Sequence, residues 1–185
     1  MNAENNTLAD YLDYDLSLLS IGLNPSIMSV QSGLYFANPR NRFWRAFIRS
    51  GFIEECSDLN KSIHNKLLNQ YSIGFTDVVK KPSSSSKVLK AADFKRDAPK
   101  LRAKCEIYSP NYLWFHGKVA LTQFSRYAYG CNQDWQWGIN QSSQIPFNIF
   151  LSPNPSSANA VFSLSVITDY YVQLHHLIGM SRHES

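Results

Sequence analysis

Gly22-Leu23-Asn24-Pro25-Ser26 decides how this chain is read. It follows an apolar, β-prone run over residues 16–21, and a proline after asparagine pushes that asparagine out of the helical region. A buried strand therefore stops here and turns sharply, presenting a neutral amide and bare backbone at its carboxyl end. The device recurs far along the chain. Residues 147–151 form a second apolar run, closed by Ser152-Pro153-Asn154-Pro155-Ser156-Ser157-Ala158-Asn159. In open α/β sheets the ligand crevice lies outside the carboxyl ends of the strands. Two such turns, from opposite ends of the sequence, are expected to face one crevice and to suit a polar ligand that takes neutral hydrogen bonds.

Between these turns the pattern alternates. Strands are predicted over 16–21, around Gly74 within 71–79, over 112–115 and over 147–151. Helices are predicted over 41–50, 58–69, 91–108, 118–127 and 163–177, with Pro99 demanding a break or a fresh start. Residues 26–40, 83–86 and 131–144 read as loop or irregular chain. Strands alternating with helices imply a three-layer α/β/α sandwich around a central, mainly parallel sheet. One domain is expected over 15–180, behind an N-terminal tail of residues 1–14.

The bulk numbers bound the function. A chain of 185 residues, 44% hydrophobic and 17% charged, suffices for one sizeable core. The net charge of +4 permits a polyanionic partner without demanding one. Cys56, Cys105 and Cys131 are scattered, with no CxxC pair, which argues against a structural zinc or a disulfide framework and fits reduced thiols. The first 14 residues are polar and acidic, unlike a secretory leader, and no run is long enough to span a bilayer. A cytoplasmic, nucleoid-associated or nuclear location is expected, with no membrane partner. The five histidines make no ligand spacing, and GxGxxG, GxxxxGK[ST] and GxSxG are all absent. No metal and no organic cofactor is implied.

Four stretches, in order, carry a family resemblance. They are Gly22-Leu23-Asn24-Pro25, Phe36-Ala37-Asn38-Pro39-Arg40-Asn41-Arg42-Phe43-Trp44, Gly74-Phe75-Thr76-Asp77-Val78-Val79, and Asn154-Pro155-Ser156. Together they resemble the mismatch-specific uracil/thymine-DNA glycosylase branch of the uracil-DNA glycosylase superfamily, and the likeness runs over about residues 16–177. The resemblance implies a monofunctional glycosylase of base-excision repair. It would act as a monomer on double-stranded DNA, hydrolysing the N-glycosidic bond of a flipped mismatched or damaged base. Such chemistry needs an oriented water near C1′, donors aimed at the departing base, and a pocket for the extruded nucleotide.

In that resemblance Asn24 matches the water-positioning asparagine. Its amide orients water but is a poor proton acceptor, so catalysis would rest on placement. Phe36 matches the aromatic on which the base stacks, and Gly22, Leu23 and Ser26 lie where backbone meets the base. Asp77 departs from the family's frequent asparagine. An asparagine both donates and accepts, whereas an ionised aspartate only accepts, which would shift the choice from plain uracil toward amine-bearing bases such as a modified cytosine, or toward purine lesions that offer an N–H, such as a deaminated purine. A turn-capping role for Asp77 is the alternative. Asn154, Ser156, Ser157, Ala158 and Asn159 match the loop that enters the duplex where the base leaves. Ser156 could hold a phosphate through its N–H and hydroxyl, or simply form a local turn. Arg40, Arg42 and Lys118 are candidate backbone contacts, Lys118 at a helix N-terminus. Two other readings stay open: a lesion-binding module with little or no catalysis, and a small-molecule α/β protein whose Asn-Pro turns hold a polar ligand.

Overall fold

Three of the five strands are buried throughout and a fourth in all but its first residue, and that burial fixes their arrangement. The structure, a computed structural model, describes residues 7–54 and 59–181. Cys56, and the expected helix start at Asp58, lie outside the described residues. The elements are β1 (Leu18–Gly22), α1 (Ile27–Ser32), α2 (Phe43–Arg49), α3 (Ser62–Tyr71), β2 (Ile73–Asp77), α4 (Ala91–Tyr108), β3 (Tyr112–His116), α5 (Lys118–Tyr129), β4 (Gly138–Asn140), β5 (Asn148–Ser152) and α6 (Leu164–Ser181). The sheet order is β2-β1-β3-β5-β4, parallel except for β4, which pairs antiparallel with β5.

Side chains alternate across each strand, so each supplies both layers. Leu18, Phe75, Trp114 and Phe150 pack against α2, α3 and α6 on one face. Leu19, Ile21, Leu113, Phe115, Ile149 and Leu151 pack against α4 and α5 on the other. This is the expected α/β/α sandwich with a central, mostly parallel sheet.

Three local expectations give way to tertiary context. Residues 26–40, read as loop, contain the short helix α1, capped by the Ser26 hydroxyl and by Gly33 at φ 70°. Residues 131–144, read as irregular, contain β4, with Trp135 buried beside it. Pro99 sits inside α4 without ending it. Pro99 and Lys95 are exposed, so the carbonyl freed by the missing N–H stays hydrated while Phe94, Ala98, Leu101 and Cys105 hold the helix on the sheet.

Residues 7–14, expected as tail, lie against the domain. Leu8 is buried, and Tyr11 exchanges backbone hydrogen bonds of 2.9 Å with Phe75. Asp10 pairs with Lys80 at 2.8 Å and with Lys104. These partners are distant in sequence, which is why local polarity alone read the segment as loose. Among the described residues no helix is long and apolar enough to cross a membrane.

Candidate active site

Parallel pairing puts the carboxyl ends of β1, β2, β3 and β5 at one edge of the sheet, and a cleft of about 280 Å³ opens there. Gly22, Leu23, Asn24, Ser26, Phe36, Asp77, Asn154, Ser156, Ser157 and Ala158 all line it. The two Asn-Pro turns therefore share one cavity. Asn159, Arg40, Arg42 and Lys118 do not line it.

The first turn is stapled to the chain leaving β2. Val78 and Val79 donate to the carbonyls of Gly22 and Leu23 at 2.9 and 3.0 Å, and Ser83 donates to that of Pro25 at 3.1 Å. The Asn24 side chain closes the staple. Its Nδ2 donates to Ser83 Oγ at 2.8 Å, to the Lys81 carbonyl at 3.1 Å and to the Pro25 carbonyl at 3.2 Å. Two of these partners are carbonyls, which only accept, so the NH2 end is fixed on that side. Oδ1 is left as the free acceptor on a half-buried residue at the cleft. The amide is held to accept a hydrogen bond from a water or a ligand.

Phe36 has φ 57°, a left-handed backbone that non-glycine residues rarely adopt. The flanking groups hold it there. Tyr35 N–H donates to His64 Nε2 at 3.0 Å, Trp44 Nε1 donates to the Tyr35 carbonyl at 2.9 Å, and Ala37 N–H donates to Ser29 Oγ at 3.4 Å. Burial pushes His64 down to about 3, so its ring stays neutral and keeps accepting. The Phe36 ring stacks on Phe43 at 4.0 Å and meets the edge of His116 at 5.0 Å. It is half-buried and lines the cleft, which leaves it an aromatic surface that a planar ligand can share.

Asp77 ends β2 opposite Gly22 in the register and is buried. A Cβ on Gly22 would lie 2.5 Å from Asp77 Oδ1, so only glycine leaves room for that carboxyl. His116, the last residue of β3, lines the cleft too. Its Nε2 is 2.8 Å from Ser20 Oγ and its Nδ1 is 3.5 Å from the Tyr171 hydroxyl, and burial pushes it down to about 3. It is a neutral wall, not an acid.

The second loop is built from its own side chains. Asn154 Oδ1 accepts from Ser156 N–H at 2.9 Å, Ser156 Oγ accepts from Ala158 N–H at 3.3 Å, and Asn159 Nδ2 donates to the Asn154 carbonyl at 3.0 Å. The Ser156 N–H is thus spent inside the loop and not available to a phosphate; only the hydroxyl proton remains.

Arg42 also departs from its expected role. Its guanidinium donates to the carbonyls of Pro155, Ser156, Asn159 and Phe162. It clamps the second loop to the start of α2 and has little left for DNA. Replacing Arg42 with alanine is expected to cost about 2 kcal/mol of stability, since hydrogen bonds to a charged group are worth ~1.5–3 kcal/mol. It should leave the salt slope of DNA binding unchanged, whereas loss of a phosphate contact would lower that slope by about 1. Thermal unfolding and a salt titration check both. Arg40 is exposed. Lys118 sits 5.4 Å over the Trp137 ring and 4.0 Å from Asp134.

Sequence reasoning passed over Ser83, Ser84, Ser85 and His116 as cleft residues. The serines were visible as a polar run just past the Asp77 strand, and parallel pairing of β1 with β2 brings that run beside Asn24. Among the described residues no group of three or more His, Cys, Asp or Glu could hold a metal ion.

Known proteins share this frame. A solution NMR structure of a protein from Methanosarcina acetivorans, put forward as a uracil DNA glycosylase, matches at a TM-score of 0.64 and 22% identity. The match covers 94% of this chain and 98% of that one, and shows a common fold. The sequence profile of the uracil DNA glycosylase superfamily matches residues 9–173, which takes in the whole sheet and every residue lining the cleft except Leu8. The chain belongs to the uracil DNA glycosylase superfamily.

Proposed function

We propose that this protein is a monofunctional DNA glycosylase of the mismatch-specific uracil/thymine type, cleaving a flipped mismatched or damaged base from double-stranded DNA. The observation that carries the reading is the shared cleft, where an oriented neutral acceptor, an aromatic surface and a carboxyl meet beside a second loop. The extruded base stacks on Phe36 and turns its pairing edge toward Asp77. Asn24 Oδ1 holds a water against C1′, and the second loop, led by Ala158, fills the space the base leaves. The four family-like stretches point to the mismatch-specific branch. The neutral amide at residue 24 fits slow chemistry that depends on placement.

The test is a panel of duplexes carrying uracil, thymine, hypoxanthine, xanthine or ethenocytosine opposite each base. Free base and an alkali-labile abasic site are the expected products. Binding without any abasic site would favour a lesion-binding module, and no binding at low salt would favour a small-molecule protein. Phe36→Ala is expected to weaken binding of an extruded base about 5- to 150-fold, because base–aromatic stacking is worth ~1–3 kcal/mol. Titration of a duplex carrying an uncleavable nucleotide measures it.

A further inference from the structure

Asp77 is 4% exposed and lines the cleft, yet its Oδ2 is buried with no hydrogen-bond partner. The Lys80 ammonium lies 3.7 Å from it. That ammonium is already engaged, 2.8 Å from Asp10 Oδ1, while Lys104 holds the other Asp10 oxygen. The groups facing Asp77 can be named for each side. The N-terminal segment brings Asp10, with Tyr11 behind it. The segment before α2 brings Tyr35, whose hydroxyl donates to the Ala9 carbonyl and lies 3.5 Å from Lys80. The turn after β2 brings Lys80, α4 brings Lys104 through Asp10, and β3 brings the neutral His116 across the cleft. From β1 comes only the side-chain-free face of Gly22.

Two carboxyls thus draw on one shared ammonium, and Asp10 has a second ammonium to itself. A buried carboxylate oxygen left without a well-formed hydrogen bond is costly, and a proton removes the cost. Burial accordingly pushes Asp77 up to about 7; Asp10 adds to that rise, and Lys80 and the Tyr35 hydroxyl oppose it. Burial pushes Asp10 up as well, but Lys80 and Lys104 outweigh it and hold that carboxyl below its ordinary range.

We propose that Asp77 reads the flipped base as a neutral carboxylic acid, the cleft-side Oδ1 carrying a hydroxyl that donates to a ring carbonyl while the occluded Oδ2 stays on the Lys80 side. The proposal rests on the glycosylase reading above. The acid then supplies the donor that a carboxamide nitrogen would supply at this position. The base class it selects carries a C=O on its pairing edge, in a pyrimidine or a purine. The ionised form only accepts and repels that C=O, so raising the pH turns the cleft away from such bases. This differs from the sequence-level expectation, in which a charged Asp77 favours amine-bearing bases or purine lesions that offer an N–H.

The experiment compares single-turnover release of uracil and hypoxanthine by the wild type and by Asp77→Asn between pH 6 and 9. Wild-type release is expected to fall about tenfold per pH unit once the acid ionises, while the variant stays flat and overtakes it at pH 9. Superimposable profiles, or wild-type release that rises with pH, would overturn the proposal. A second measurement needs neither the variant nor catalysis. Calorimetry in two buffers at pH 8 follows binding of a duplex carrying a 2′-fluoro deoxyuridine, which resists cleavage. Uptake of close to one proton per complex is expected; no uptake refutes the acid form. If no duplex releases base, the glycosylase reading fails, and the proton count still decides the role of Asp77.

Discussion

Replacing Asn24 with alanine will slow single-turnover base release by at least about a hundredfold while duplex affinity changes little, because misplacing the attacking group by about an ångström costs that much. The expectation comes from the hydrogen bonds of one amide. Its nitrogen is fixed on Ser83 Oγ and two carbonyls, so its oxygen faces the cleft in one orientation. Ser83→Ala separates placement from presence. It keeps the amide and removes its shortest staple, at about 0.5–1.5 kcal/mol, so release should fall roughly two- to tenfold. Unchanged release in Asn24→Ala would take this residue out of the chemistry.

Gly117→Ala will cost about 1–3 kcal/mol and disturb the cleft from a distance. Gly117 joins β3 to α5 at φ 97° and ψ 148°, a region open essentially to glycine alone. A Cβ there would also lie 3.0 Å from the Cβ of Asn154, so the second Asn-Pro loop must shift. Lower thermal stability together with weaker DNA binding is the expected pair of results. Lower stability with binding and release intact would mean that the loop's position does not matter to the ligand.

The sheet was legible because its strands are short apolar runs closed by glycine, proline or polar residues, and burial on both faces demands that pattern. What escaped was held by distant partners. α1 exposes Ile27 and Met28 and buries Ser29, so it shows no apolar stripe; its caps at Ser26 and Gly33 define it instead. β4 is three residues long and exists through its pairing with β5. Leu8, Asp10 and Tyr11 looked like tail because Phe75, Lys80 and Lys104, which fix them, lie far along the chain.

The cleft was half legible. Asn24, Phe36 and Asp77 stood out by motif, and all three line it. The state of each did not. Only the structure shows which end of the Asn24 amide is free, that Phe36 sits on a left-handed backbone, and that Asp77 Oδ2 is buried without a hydrogen-bond partner. Arg42 shows the same limit from the other side. Its charge suggested a phosphate contact, but the carbonyls of the second loop, more than a hundred residues away, take its donors.

The decisive measurement is a structure of the protein bound to a duplex carrying 2′-fluoro deoxyuridine opposite guanine. The uracil is expected to be turned out of the helix and lying on Phe36, with a water between Asn24 Oδ1 and C1′ and the 154–159 loop in the vacated stack. A uracil still paired in the duplex, or bound outside this cleft with Asn24 remote from the sugar, would contradict this expectation.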